Sequence, residues 1–288
     1  MKGKSLALFM FMSSTCMAAE PKIIEIIPLS GSISNHKIFM TLAREESKIF
    51  GSYFYEKYRT PILVSGNIET TQISISENID GNKATISAKH EAMKYTGTWS
   101  NQKKTYAFSA KQLTRPYADL IKRISIFDNK ENQSTLSIDY KNGKTQQLTI
   151  DIYAHPPSVI FEDFTFDGYP DLRVVELEAG TNTSYIYYEY NPENGQYTEP
   201  PPEIAALINP RVVHDKKIIS GISKNGCCSY KATKISSSKI YIADFDYTSN
   251  TGEESVTDKS TGVTSQTAIT KSAFESNYLK IINTGTPY

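Results

Sequence analysis

Hydrophobic and polar residues alternate along most of the first half of this chain, and the alternation predicts β-strands. Successive side chains of a strand point to opposite faces, so a period of two indicates strands with one buried face. The runs are rich in β-branched and aromatic residues, which strands favour. They lie at residues 38–42, 53–55, 62–64, 73–75, 85–88 and 106–108. We therefore expect an antiparallel β meander here.

Glycines recur in front of apolar residues within the same segment. Glycine is frequent in turns, so we expect these glycines to separate hairpins that curl into a sheet or small barrel. The recurrences are Gly31-Ser32-Ile33, Gly51-Ser52-Tyr53, Gly66-Asn67-Ile68 and Gly97-Thr98-Trp99.

The alternation breaks over residues 111–135, and this break predicts a boundary between two parts. In the second part, Asn142-Gly143 lies between two strand-like runs, and Asn-Gly is the strongest short hairpin signal. Residues 248–266 are mostly polar and predict a long mobile hairpin. The sequence predicts an all-β protein with an antiparallel N-terminal β domain at residues 20–113 and a second β-rich domain at residues 114–288.

Residues 1–19 have the features of a secretory signal peptide. Lys2 and Lys4 precede a short apolar run, and small residues end the segment at Ala18 and Ala19. The run is too short to span a bilayer. We therefore predict export, with cleavage before Glu20, and no membrane span.

Composition narrows the classes of partner and the kinds of site. Lys and Arg total 31 and Asp and Glu total 31, and this balance argues against a nucleic-acid-binding surface. Beyond the signal peptide the only cysteines are Cys227 and Cys228, which are neighbours. They cannot form a disulfide scaffold, so two half-buried thiols or a vicinal disulfide remain open.

Three aspartates are regularly spaced in a short loop between two strand-like runs. Asp163, Asp167 and Asp171 fall at positions 1, 5 and 9, with glycine at position 6, as in the first part of a calcium loop. Thr165 would add a hydroxyl and Tyr169 its backbone carbonyl. The alternative is a metal-free turn in which the aspartates accept hydrogen bonds from backbone N–H groups. In either case the role is structural.

The residues from Asp163 to Leu172 resemble the D-F-N-F-D-G-x-x-D-L signature of the XAC2610-related family of bacterial periplasmic proteins. Thr165 stands where the family has asparagine. The likeness continues through a tyrosine-rich run at residues 185–190 and covers residues 130–247. The segment at residues 20–113 is similar to an N-terminal module often fused to secreted bacterial proteins, on its G-x-I, I-x-G-S-Y-x-Y and G-T-W patterns.

This resemblance implies a periplasmic, propeller-like β domain. Some members of the family block a peptidoglycan-cleaving effector of another cell. The function that the likeness implies is therefore that of an inhibitor or immunity-type protein with a protein partner, such as a peptidoglycan hydrolase or another secreted effector. Two alternatives stay open: a calcium-stabilised envelope or binding module, and an enzyme that acts on glycans.

No catalytic set is evident in the sequence, so we predict that the protein is not an enzyme. The residues after Gly221 lack the spacing of a nucleophile elbow. The four histidines are scattered, without the spacing of a zinc site. If the protein binds a partner, the contact regions are expected in the tyrosine-rich strand and in the loop around the cysteines, because loops and tyrosines are frequent in interfaces. The residues concerned are Tyr185, Tyr187, Gly226, Cys227, Cys228 and Tyr230. The alternatives are that both faces of the tyrosine-rich strand pack inside the sheet and that Tyr230 is a core tyrosine.

Overall fold

The computed structural model describes residues 20–79, 81–130, 133–154 and 156–280, so the predicted signal peptide lies outside the described residues. Within these ranges the strands form three sheets, which confirms the predicted all-β class. Among the helices of the same ranges, none is long and apolar enough to cross a membrane.

The first eight strands close into an antiparallel barrel. Each strand pairs with the next along the chain, and β1 also pairs with β8, from Leu29 opposite Gln112 to Ile33 opposite Phe108. Side chains fill the interior of an eight-stranded barrel, and here the central ones are apolar. The strands are β1 Lys22–Ile33, β2 His36–Glu45, β3 Lys48–Tyr55, β4 Ile62–Ile68, β5 Gln72–Ile79, β6 Asn82–Glu91, β7 Lys94–Asn101 and β8 Thr105–Gln112.

The recurring glycines lie inside strands of the barrel, so the prediction that they occupy turns is wrong. A Cβ atom on Gly31 would lie 2.1 Å from the carbonyl oxygen of Ser109, and one on Gly97 would lie 2.0 Å from that of Ser87. Neighbouring strands thus approach at these points more closely than a side chain allows. The glycines permit the bending that closes the barrel.

Strand β1 belongs both to the barrel and to a sheet extension in the second half of the chain. Its first residues, Lys22 to Glu25, pair in parallel with β12, and the extension continues through β13, β14 and β15. The strands are β12 Ser158–Glu162, β13 Asp171–Ala179, β14 Asn182–Asn191 and β15 Gln196–Thr198. The two halves of the chain are therefore joined by backbone hydrogen bonds.

A three-stranded sheet follows the barrel in the chain. It comprises β9 Ile121–Lys130, β10 Gln133–Tyr140 and β11 Thr145–Asp151. The turn at Asn142-Gly143 joins β10 to β11, as predicted, and Gly143 takes a positive φ of 86° there. This sheet packs on β12–β15 through a shared apolar core.

The third sheet is a six-stranded antiparallel meander. A C-terminal helical segment covers one face through Phe274 and Tyr278, which pack with Phe245. The elements are β16 Arg211–Val213, β17 Ile218–Asn225, β18 Ser229–Ile235, β19 Lys239–Asp246, β20 Thr251–Asp258 and β21 Thr264–Ala268, with helix α1 Pro202–Ala205 before them, helix α2 Lys271–Phe274 after them, and a π-helical turn Glu275–Leu279.

One prediction for the second half is confirmed and another differs from the structure. The segment at residues 248–266 forms the predicted hairpin, and cross-strand pairing builds it from the regular strand β20 and most of β21. The strands are grouped unequally, as a three-stranded sheet, a four-stranded extension and a six-stranded sheet. A propeller consists of similar four-stranded blades, so the described residues do not form one.

Candidate functional site

The aspartate loop joins β12 to β13, and its deepest carboxylate is bound by groups of the protein itself. Oδ2 of Asp171 accepts hydrogen bonds at 3.0 Å from the backbone N–H groups of Phe164 and Thr165 and from the Thr165 hydroxyl. Oδ1 accepts a hydrogen bond from the backbone N–H of Tyr190 at 2.9 Å. Asp171 therefore shapes the loop and ties it to β14.

The other two aspartates also accept hydrogen bonds from the loop backbone. Asp163 accepts from the backbone N–H groups of Asp167 and Gly168, at 3.2 and 3.0 Å, and from the Thr114 hydroxyl at 3.3 Å. Oδ1 of Asp167 accepts from the backbone N–H of Tyr169 at 2.8 Å. These are the hydrogen bonds of the metal-free turn, one of the two alternatives that the spacing left open.

Some of the oxygens that the spacing assigns to calcium already take part in hydrogen bonds within the loop. Oδ2 of Asp171 already accepts three hydrogen bonds, and the Thr165 hydroxyl is one of the donors. Across the described ranges, no group of three or more His, Cys, Asp or Glu side chains is placed to hold a metal ion. Calcium binding at the loop stays a prediction from the sequence.

Burial is the largest influence on the pKa of Asp171 and of Asp163. It raises the pKa of Asp171 well above the ordinary range, and the backbone N–H of Tyr190 partly opposes this shift. Burial also raises the pKa of Asp163, and the nearby His214 partly opposes this shift. Buried carboxyls that already bond the loop backbone hold its shape and are poorly placed to receive a ligand.

A buried ionic cluster lies beside the loop. The Arg173 guanidinium is 2.9 Å from Oε2 of Glu162, and Nε2 of His214 is 3.8 Å from Oε1 of the same residue. All three side chains are at most 3 % exposed. The guanidinium also lies 4.6 Å from the ring centre of Tyr185. The sequence does not reveal this cluster, because only the pairing of β12 with β13 and the position of the segment after β16 bring the residues together.

The tyrosine-rich strand is mainly a structural element. Tyr187 is buried and its hydroxyl donates a hydrogen bond to the backbone carbonyl of Leu207 at 3.0 Å. The prediction that Tyr187 contacts a partner is therefore wrong, because both faces of β14 are covered at this position. Tyr185 is half-buried and covers Arg173.

The two cysteines occupy the turn between β17 and β18. Gly226 begins the turn with a positive φ of 71°, Cys227 is exposed and Cys228 is half-buried. Within the described residues, both cysteines are free thiols. A hydrogen bond between them raises the pKa of the Cys227 thiol and lowers that of the Cys228 thiol, which the Thr248 hydroxyl lowers further.

Tyr230 lies just behind this turn on β18 and is half-buried. Its ring packs edge-on against Tyr247, with centroids 5.5 Å apart, and Nζ of Lys224 lies 5.9 Å from its centroid. Tyr230 therefore supports the turn and keeps part of its surface accessible.

A second turn lies beside the cysteine turn, because β18 pairs with β19. The backbone N–H of Tyr247 donates to the carbonyl of Cys228 at 2.9 Å. Oδ1 of Asp246 accepts from the backbone N–H groups of Thr248 and Ser249 at 2.9 and 2.8 Å and shapes the second turn. We call residues 225–228 and 247–250 the paired tips. They form one largely exposed, polar end of the six-stranded sheet.

The barrel has an open cleft at one end that the sequence analysis also missed. Its floor includes the buried polar side chains Glu25 and Gln112, and Arg44 and His90 reach the same space. The signal was present, since these four residues occupy inward positions of strands whose other inward residues are apolar. The pattern alone does not identify a cleft, because the direction in which each strand faces is set only when the barrel closes.

Comparison of the chain with known protein families, with characterised proteins and with solved structures found no match. The resemblance of residues 130–247 to the XAC2610-related family therefore stays a prediction.

Proposed function

We propose that this protein is exported to the periplasm and acts there as an inhibitor or immunity-type protein. In this proposal it binds a secreted cell-wall-degrading effector of the lysozyme type and makes or breaks no covalent bond. The resemblance of residues 130–247 motivates the class of partner, and the paired tips are the observation that carries the proposal.

The paired tips have the properties that a plug for a concave cleft requires. Residues 225–227 and 248–250 are exposed, while the hydrogen bonds of Asp246 and Cys228 hold both turns in place. A surface that is ordered before binding loses little conformational entropy when the complex forms. Tyr230 is the anchor in this arrangement, because it is partly accessible beside the tips and tyrosine is enriched among the residues that contribute most to binding energy.

An inhibition assay tests the proposal. The purified protein is titrated into a lysozyme-type muramidase that is degrading peptidoglycan, and we expect the rate of degradation to fall. Truncating an anchor typically costs about 2 kcal/mol, which is about thirty-fold in affinity. Tyr230→Ala should therefore raise the inhibition constant about thirty-fold. Tyr58→Ala is the control, because Tyr58 is 67 % exposed on the barrel, away from the tips.

The melting temperature separates binding from folding in this experiment. We expect it to be nearly unchanged in Tyr230→Ala, since the side chain is only half-buried. Equal inhibition by Tyr230→Ala and the wild type would contradict the role of the tips. Hydrolysis of peptidoglycan by the protein alone, lost on mutation of one Asp or Glu, would support the glycan-acting enzyme instead.

The proposed location has a separate test. Mass spectrometry of the protein purified from the periplasm should show an N-terminus near Glu20, because the small residues before it suit signal peptidase. An intact Met1 in the cytoplasm would contradict export, and with it the proposed partner.

A further inference from the structure

The open end of the barrel is a cleft of about 740 Å³, within the range of small-molecule pockets. Residues of β1, β2, β4, β6, β7 and β8 line it, together with the turns after β2, β4 and β6 and the segment that follows β8. Mouths of β-barrels are frequent ligand sites because a rigid wall surrounds a space that the core does not fill. The size and position of the cleft suit one small molecule.

The floor of the cleft carries a buried carboxylate with weak partners. Glu25 is 5 % exposed, and its Oε1 accepts a hydrogen bond from the backbone N–H of Tyr117 at 3.3 Å. Its Oε2 lies 3.8 Å from Nη1 of Arg44, which is beyond hydrogen-bond distance. The carboxylate and the guanidinium therefore balance each other in charge, and both can still form hydrogen bonds with a third molecule.

Neutral polar groups surround this pair. Gln112 is buried, and its Oε1 accepts a hydrogen bond from the Tyr95 hydroxyl at 3.3 Å. Nδ1 of His90 is buried and, among the described residues, is without a hydrogen-bond partner. Burial, reinforced by the charge of Arg44, lowers the pKa of His90, so the imidazole is neutral at neutral pH. The floor thus presents donors and acceptors side by side.

The charges around the cleft disfavour an ionic ligand. The rim is mainly acidic, with Glu46, Glu69 and Asp119 against Arg115, and it repels anions. A cation that reached Glu25 would lie next to the Arg44 guanidinium. Hydroxyl groups, in contrast, both donate and accept hydrogen bonds and carry no charge. We propose that the barrel mouth binds a small neutral sugar, whose adjacent hydroxyls bridge Glu25 and Arg44 and reach Gln112 and His90.

Burying the charged form of Glu25 costs the folded state free energy, and a role in ligand binding would explain why a carboxyl is placed there. Burial raises the pKa of Glu25, although Arg44 opposes the shift. The opposite end of the barrel differs, because there Glu77 accepts hydrogen bonds from the Tyr53 hydroxyl and from Nε1 of Trp99. The carboxyl at that end accepts two side-chain hydrogen bonds, whereas Glu25 at the cleft accepts one long backbone hydrogen bond and lies 3.8 Å from Arg44.

Titration calorimetry with sugars tests the proposal. The probes are glucose, galactose, mannose, N-acetylglucosamine, lactose and cellobiose, with glucosamine and glucuronic acid as charged counterparts. We expect at least one neutral sugar to bind with a millimolar or lower Kd, and glucosamine and glucuronic acid to bind more weakly than that sugar. Failure of all six neutral sugars to bind at millimolar concentration would overturn the proposal, as would tighter binding of a charged counterpart.

Variants and chemical shifts locate the site. Losing a hydrogen bond to a charged group should weaken binding about tenfold or more in Glu25→Gln. The matched control is Glu77→Gln, which removes a buried carboxylate at the other end of the barrel and should leave the Kd unchanged. In the wild type, amide chemical shifts should change at Gln112, His90 and Tyr95 on addition of the sugar, and this needs no variant to fold. If these amide shifts do not change, or if Glu25→Gln and Glu77→Gln bind the sugar with equal affinity, the sugar binds elsewhere and the proposal is overturned.

Discussion

Removing one partner of the buried pair of Arg173 and Glu162 should destabilise the protein strongly. Arg173→Met takes away the guanidinium that lies 2.9 Å from the carboxylate and keeps most of the side-chain volume. Glu162 is then a charge at 1 % exposure, with His214 at 3.8 Å and the charge of Arg211 as remaining ionic neighbours. The variant therefore leaves a buried carboxylate that solvent cannot stabilise.

The magnitude follows from the burial of both side chains. Breaking a buried ion pair by removing one partner typically costs about 3–5 kcal/mol. Glu162→Leu should cost a similar amount, because it leaves the guanidinium without its carboxylate. Replacing both residues removes both charges, and such replacements are neutral to stabilising by about 1–4 kcal/mol. The double variant Arg173→Met with Glu162→Leu should therefore be at least about as stable as the wild type.

Urea unfolding followed by two probes measures these changes. The chain has one tryptophan, Trp99, whose fluorescence reports on the barrel, while circular dichroism reports on all the sheets. If the transitions followed by the two probes coincide, the free energy of unfolding can be calculated with a two-state model. The control is Arg123→Met, because Arg123 pairs with Asp139 at 3.1 Å on the surface and is 66 % exposed. We expect its unfolding midpoint to match that of the wild type.

Two results would refute this reasoning. One is a loss of less than about 1 kcal/mol in Arg173→Met, which is the size expected of a solvent-exposed pair. The other is a double variant as unstable as the sum of the two single variants, because independent losses would mean that the two charges do not interact.

Three further predictions concern the loop, the cleft and the cysteines. The hydrogen bonds of the aspartate loop lead us to expect a melting temperature unmoved by millimolar calcium, and a calcium-dependent rise that Asp167→Ala abolishes would show a calcium site instead. Because burial raises the pKa of Glu25, its contribution to stability is present below the ordinary carboxyl pKa and is lost as the pH rises through the raised value. Glu25→Gln should therefore gain stability relative to the wild type as the pH is raised from about 4 to 7 in urea titrations, and a constant difference would contradict this. The Thr248 hydroxyl lowers the thiol pKa of Cys228 independently of Cys227, so Cys227→Ser should react faster with a thiol reagent at pH 7 than Cys228→Ser. Equal rates would contradict it.

The limits of prediction from this sequence are visible in the glycines and tyrosines. Composition marks Gly31 and Gly97 as breaks in a pattern, and only the approach of neighbouring strands shows that they lie within strands of a bent sheet. The alternation along β14 predicts two faces for its tyrosines. It leaves open whether one face or both faces pack in the core, and the burial of Tyr187 decides this at its position. In both cases the missing information is which element lies opposite, and that is a property of the whole fold.

The sequence alone determined the local features, since these depend on neighbouring residues. Alternation of polar and apolar residues specified an all-β chain, Asn142-Gly143 specified a hairpin, and the aspartate spacing specified a tight loop at residues 163–171. Tertiary structure decided the features that need distant residues. These are the closure of the barrel by β1 and β8, the parallel pairing of β1 with β12, the burial of Arg173 against Glu162, and the cleft at the barrel mouth. Such contacts join residues far apart in the chain, so their energies depend on which side chains the completed fold brings together, and no local pattern records them.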